Sequence, residues 1–298
     1  MSGEGGPGRA GAGTPSCLVC GRREWTLHLD KGAHRYVRCE GCELVRLDPF
    51  PSQEEAAALY GDEYFTAAAS VGYADYIADA PLHRRNGRAR VRRLGDPPPG
   101  AATLIDIGCA HGFTMLEARS RGWEPLGVET NDSARQSVVE LGMRCERTVA
   151  DLELGPCSVG AVALFQVLEH LTDPAEMLRW CSEVLHPDGK VVIETWDRGS
   201  LVARAFGPRW QQASPPSVVW LFDRSSLEGL ASVAGLRLAR FRPSSKWVSA
   251  GLVAGQMQSR GAGGPLARTM QALRRVPIPY AFGDLVTVVM DKPPLEGW

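Results

Sequence analysis

The stretch TLIDIGCAHGF (103–113) constrains this chain most: an apolar run carrying one acid, Asp106, breaks into a turn of small residues, Gly108, Ala110 and Gly112, and then a helical pattern. A buried strand, a tight turn and an amphipathic helix in that order form the first unit of a parallel α/β sheet. The helix in FTMLEARSRG is expected to turn Phe113, Leu116 and Ala118 inward and to stop at Gly122. WEPLGVETN then supplies a second strand ending in an acid, Glu129, 23 residues after Asp106. From Ala101 onward short apolar strands keep alternating with helices, which predicts a parallel sheet covered on both faces.

Small residues after the first strand and an acid at the end of the second describe a nucleotide site. Backbone approaches the ligand closely there, and the carboxylate takes the ribose hydroxyls. A dinucleotide fingerprint needs G-x-G-x-x-G, so that a pyrophosphate can sit on the helix N-terminus. Here no third glycine follows at that position, and Asp106 precedes the turn. An acid there suits a cationic ligand without phosphate.

Four of the eight cysteines lie early, in CLVC (Cys17, Cys20) and CEGC (Cys39, Cys42), with eighteen residues between the pairs. This is zinc-ribbon spacing: Gly21 and Gly41 let each knuckle turn, and four thiolates can close a tetrahedron around one Zn²⁺. Four cysteine ligands leave no open position, so the expected metal role is structural. Cys109, Cys145, Cys157 and Cys181 show no ligand spacing and read as small buried apolar residues.

With 298 residues, 44% hydrophobic and 22% charged, the chain can bury one large core and a small satellite. A net charge of −1 argues against a protein whose main work is neutralising phosphates, and no nucleic-acid partner is expected. The basic run HRRNGRARVRR (83–93) reads as a solvated helix face. No apolar run is long enough to span a bilayer, and the Gly-rich first 16 residues lack a signal-peptide core. A cytoplasmic protein with a disordered tail and no membrane partner is expected.

The organisation follows from these marks: tail 1–16, zinc ribbon 17–48, helical linker or cap 49–98, and an α/β domain 99–298 with an insert at about 246–283. Ser52 with Glu55 forms a capping box at the linker's first helix. A second helix carries PLHRRNGRARVRRLG, and GDPPPG ends it. Near the C-terminus, GLRLARFRPSS and DLVTVVMDKP read as two antiparallel strands. Between them lies one amphipathic helix, around Leu266 to Arg275, expected to cap the pocket or to form a subunit contact.

With DIGCAHGF, GWEPLGVE, VLEHLTDP, VLHPDGKVVIE and FDRSSLEGLASVAGL in that order, the chain resembles the class I S-adenosylmethionine-dependent methyltransferases. More narrowly it is similar to bacterial ones with an N-terminal zinc ribbon, many of which act on sugars, polysaccharide precursors or antibiotic scaffolds. The resemblance implies a Rossmann-like seven-stranded methyltransferase sheet, S-adenosyl-L-methionine as cofactor and a small-molecule substrate. It makes Asp106, Gly108, Ala110 and Gly112 the loop around the cofactor's methionine part and Glu129 the ribose ligand. Asp151 and Leu152, in VADLEL, would flank the adenine, and Gln166 would face the sulfonium region. One departure stands out: Val159-Gly160 occupies the place where relatives carry Phe-Asp at the start of strand four.

Methyl transfer to a hydroxyl or an acidic carbon needs in-line approach and a proton acceptor. The candidates are His170 in LEHL, His111 in the cofactor turn and Tyr64 in DEYF. Sugar C-methyltransferases with a similar ribbon place polar residues where this chain has Pro215, Pro216, Ser217 and Val218, which favours oxygen over carbon as the acceptor. An aromatic, apolar substrate is expected, with Trp196 and Trp210 as possible walls and Trp220 as core. Open alternatives are a C-methyltransferase of a natural-product scaffold, a zinc-ribbon RNA methyltransferase, and a non-catalytic S-adenosylmethionine-binding protein.

Overall fold

The computed structural model of the chain describes residues 15–59, 76–258 and 264–294. Three antiparallel strands open it: β1 (Trp25–Lys31), β2 (His34–Cys39) and β3 (Val45–Asp48). Two helices follow, α1 (Gln53–Ala58) and α2 (Ala80–Leu94). Ser52 caps α1 in the capping box its sequence implies, accepting from Glu55 N while Glu55 reaches back to Ser52 N.

The α/β alternation begins with β4 (Thr103–Ile107), α3 (Phe113–Arg119), β5 (Glu124–Val128), α4 (Asp132–Glu140) and β6 (Arg144–Glu146). It continues through β7 (Val159–Phe165), α5 (Pro174–Val184), β8 (Leu185–Trp196) and α6 (Leu201–Phe206). Then come β9 (Trp220–Leu221), α7 (Arg224–Val233) and β10 (Arg237–Pro243). The insert holds β11 (Lys246–Ser249), α8 (Ala250–Gln258), α9 (Pro265–Ala272) and β12 (Pro277–Tyr280), and β13 (Leu285–Asp291) closes the fold. The amphipathic helix expected in the insert is α9; the antiparallel pairing of β11 with β12 around α8 and α9 was not foreseen.

Seven strands form one sheet in the order β10-β13-β8-β7-β4-β5-β6, with β13 antiparallel to both its neighbours and the rest parallel. Successive residues feed opposite faces. Ile105, Val162, Leu164 and Ile193 join the core under α5 and α7, whereas Leu104, Ala161, Ala163 and Val192 meet Val91, Leu94 and Trp123. Burial on both faces explains why β7, VGAVALF, is apolar throughout. Its plain start has a steric reason: a Cβ at Gly160 would collide with the Ala101 carbonyl oxygen.

Three expectations need correction. Of the four cysteines without ligand spacing, Cys109, Cys145 and Cys181 are buried but Cys157 is exposed. On α3 the buried residues are Thr114, Met115, Glu117 and Ala118, with Phe113 and Leu116 only half-buried, because α2 packs at Gly87 against Thr114 and Glu117. The basic run on α2 is solvated only in part: Arg84, Arg85, Arg88 and Arg92 are exposed, while Arg90 and Arg93 turn inward. Arg84 and Arg88 reach Glu117 at 2.7 and 3.4 Å, and Arg90 and Arg93 reach Glu194 at 2.5 and 3.8 Å, both acids being buried. A carboxylate in the core needs a paired cation, and α2 supplies them.

The ribbon sheet runs on into the larger unit, since β9 pairs with β3 through Arg46–Trp220 and Val45–Leu221. Cys17, Tyr36, Leu44 and Leu47 share a hydrophobic core with Leu164, Trp220 and Leu227.

Candidate functional site

A cavity of about 560 Å³ opens at the carboxyl ends of β4, β5, β7 and β8, walled on its far side by α2 and β11. β4 lies between β5 and β7, so the chain order reverses there. Open α/β sheets bind ligands at such a switch point.

Asp106, Gly108, Ala110 and Glu129 line one end. Glu129 is 7% exposed; its Oε2 accepts from Ala110 N and its Oε1 from Asn131 N, each at 2.9 Å. Those bonds fix the carboxylate and leave each oxygen a further lone pair for a ligand hydroxyl. Burial pushes the Glu129 carboxyl above the usual range despite these donors. Asp106, deeper still, is raised to about 7, chiefly by burial. Gly108 is needed for packing as well as for the turn: its φ is +67°, and a Cβ would stand 2.6 Å from Val167 Cγ2. Ala110 holds φ 48° without being glycine, a strain retained where its N–H grips Glu129. A fixed acid with spare lone pairs, a second buried acid and a small-residue loop fit a cationic nucleoside.

Gln166, His170, Trp196 and Lys246 line the other end. Gln166 also takes a left-handed backbone, φ 61°, and its N–H donates to Glu194 O at 2.7 Å. His170 Nδ1 donates to the Ser217 carbonyl at 2.6 Å, which in the neutral ring leaves the lone pair on Nε2. Nε2 stands 4.0 Å from Oε1 of Glu169, a fully buried acid whose other oxygen accepts from Thr195 Oγ1 at 2.9 Å.

The remaining expected residues sit elsewhere. His111 stands behind the cavity wall: its Nδ1 bonds Ser137 Oγ at 2.9 Å and its ring lies 5.3 Å from that of Tyr76, which lines the cavity. Asp151 closes its own turn, accepting from Thr148 N and Oγ1, and neither it nor Leu152 lines the cavity. Gly112 is the N-cap of α3. Tyr64 lies outside the described residues. Trp196 is a wall, but Trp210 donates to Asp284 at 3.0 Å and Trp220 to the Leu171 carbonyl at 2.8 Å, both in the core.

Sequence reasoning missed Lys246, Trp247, Asn86 and Arg90, all of which line the cavity. Asn86 clamps β11 to α2, its amide donating to Trp247 O and its carbonyl accepting from Trp247 N, both at 2.8 Å. Arg85 stacks on the Trp247 ring at 3.5 Å. The available signal was helical spacing: Asn86, Arg90 and Arg93 share one face of α2.

Outside the cavity, the Sγ atoms of Cys17, Cys20, Cys39 and Cys42 all lie within 4.8 Å of one another. Cys17–Cys42 and Cys20–Cys39 approach to 3.3 and 3.4 Å. A tetrahedron with Zn–S bonds of 2.3 Å has edges of about 3.8 Å, so the cluster fits the N-terminal zinc ribbon.

The family described as "Methyltransferase domain" matches residues 76–240. A ubiquinone biosynthesis O-methyltransferase of Caulobacter sp. (strain K31) is 28% identical over 139 residues, 40% of this chain and 55% of that protein. Its counterpart in Xanthomonas axonopodis pv. citri is 30% identical over 126 residues, 40% of this chain and 53% of that protein. The chain thus spans about half the length of the curated relatives it matches. Among solved structures, the Burkholderia thailandensis 1,6-didemethyltoxoflavin-N1-methyltransferase, bound to 1,6-didemethyltoxoflavin and S-adenosylhomocysteine, shares the fold. Its TM-score is 0.51 at 13% identity, over 89% of this chain and 98% of that one. With its seven-stranded sheet and a family match over more than half its length, this chain belongs to the methyltransferase-domain family.

Proposed function

We propose that the chain methylates an oxygen of a small, partly apolar acceptor. The observation that carries this reading is His170: it lines the cavity, and its bond to the Ser217 carbonyl turns the lone pair of the neutral ring to Nε2, as a proton acceptor requires. The O-methyltransferase relatives support it, as do the aromatic walls Trp196 and Trp247. The net charge of −1 disfavours nucleic acid, and no helix among the described residues is long and apolar enough to cross a membrane.

S-adenosylmethionine, when bound, supplies a methyl group activated on a positively charged sulfur. Asp106, Gly108, Ala110 and Glu129 would hold it, Glu129 through the lone pairs its backbone donors leave open. Gln166, on its strained backbone, shapes the floor between the two ends. His170 takes the acceptor proton, while the surrounding walls exclude water and orient the acceptor. In the ribbon, 17–48, the four cysteines would hold a structural Zn²⁺. From segment 49–98, α1 and α2, and from the insert at 246–283, β11, line the cavity of the domain at 99–298.

Replacing His170 by Ala should lower turnover by about 10²–10⁴-fold with little change in cofactor affinity. Replacing Glu129 by Ala should weaken S-adenosylhomocysteine binding roughly ten- to a hundredfold in calorimetry. Full turnover by the His170 variant would return that residue to a structural role, and unchanged affinity of the Glu129 variant would remove its assignment.

A further inference from the structure

Lys246 lines the cavity, and the methyl-transfer chemistry proposed above gives it no part. It sits on β11, carried over the cavity by the Asn86 clamp, and its Nζ donates to Gln166 Oε1 at 2.8 Å while lying 4.8 Å from the centre of the Trp196 ring. The ammonium has two further protons. Glu194, the carboxylate acting on it most strongly, is already paired with Arg90 and Arg93.

Lys246 is half-buried, and among the described residues no carboxylate pairs with it directly; a partly desolvated cation of this kind favours an anionic ligand. Arg90, beside it on α2, lines the same cavity and lies 4.7 Å from the Phe165 ring centre. The charged and titratable groups around Lys246 are Arg90 and His83 on α2, Glu194 on β8, Glu169 in the turn after β7, and Asp284 ahead of β13. Glu169 feels Lys246 and His170 together, which brings the cation and the proposed proton acceptor to the same end of the cavity.

We propose that Lys246, positioned by Gln166 and Trp196, is an oxyanion subsite, and that the acceptor is an acidic hydroxyl on an aromatic frame, bound as its phenolate or becoming so. This rests on the O-methylation reading and narrows its substrate class. The O–H bond breaks with its electron pair left on oxygen, the proton passes to His170 Nε2, and the new negative charge is held against the Lys246 ammonium. Trp196 and Trp247 line the cavity there, so an aromatic acceptor meets aromatic walls. Burial lowers the Lys246 ammonium to about 8, so binding of the anion should weaken as pH rises through that value.

The test uses 4-nitrophenol, whose phenolate absorbs in the visible, with the full-length protein and S-adenosylhomocysteine. Wild type should bind it as phenolate at a pH where the free probe is mostly protonated, and at least tenfold more tightly than nitrobenzene of similar shape. Lys246→Met should lose the visible band and bind roughly ten- to a hundredfold more weakly, and Lys246→Arg should retain both. Wild type without preference for the phenol over nitrobenzene overturns the subsite, and needs no variant to fold. So does a Lys246→Met protein with unchanged S-adenosylhomocysteine affinity and a wild-type phenolate band. The O-methylation reading fails separately, by methylated products that carry the group on carbon or nitrogen.

Discussion

The Tyr36 hydroxyl, buried in the ribbon, donates to the Val218 carbonyl at 2.7 Å, and Val218 is itself a wall of the cavity. The next strand of the ribbon makes a parallel contact, Leu47 N donating to Val219 O at 2.7 Å. On the other side of this segment, the Ser217 carbonyl holds His170 and the Val219 N–H reaches Glu169 O at 2.8 Å. One thickness of chain therefore separates the ribbon from the proposed proton acceptor. Tyr36→Phe leaves a buried carbonyl without its donor and should cost about 1–3 kcal/mol in urea unfolding. It should also lower turnover more than it weakens cofactor binding, and a variant matching wild type in both would disconnect the ribbon from the site.

Because the ribbon is small and its knuckles depend on four thiolates, metal binding is part of its folding free energy. Purified protein should contain one Zn²⁺ per chain, and Cys17→Ser should lose it. A chelator should then abolish turnover although no cysteine of the cluster lines the cavity. Metal analysis finding no zinc, or a stripped protein with full turnover, would contradict this.

The Asp106 carboxyl, raised to about 7 from an ordinary 3.8, makes stability depend on pH. The native state holds the proton between those values while the unfolded chain has released it. The stabilisation is thus complete below pH 3.8 and is lost as pH rises through 7, by roughly 4 kcal/mol in total. Asp106→Asn should remove this dependence and be the more stable protein above pH 7, while binding S-adenosylhomocysteine more weakly. Melting curves from pH 5 to 8.5 in which both proteins show the same slope would refute the shift.

Arg90 and Arg92 are neighbours in the same basic run but not in energy. Arg90→Leu strands the buried Glu194 beside its weaker partner Arg93 and should cost about 3–5 kcal/mol. Arg92, exposed, should tolerate Leu within about 0.5 kcal/mol. Equal unfolding midpoints for the two variants would restore the solvated-face reading of α2.

What the sequence determined alone was everything carried by local period and spacing. The apolar runs and turns from Ala101 onward specify the strand and helix alternation. The CxxC pairs place four thiolates on two knuckles, and Asp106 with Glu129 marks the ends of two adjacent strands. These signals survive in one dimension because hydrogen-bond geometry ties each to a few neighbouring residues. What only the tertiary structure decided is which distant side chains meet. Lys246 reaches Gln166 across 80 positions and Arg90 reaches Glu194 across 104, and neither pairing leaves a local trace. β9 is two residues long, too short for any periodicity, yet it joins the ribbon to the larger sheet. His111 and His170 look alike as histidines in turns. Packing alone sends one onto Ser137 and the other into the cavity, because a side chain's direction follows from the elements that press on it from elsewhere in the chain.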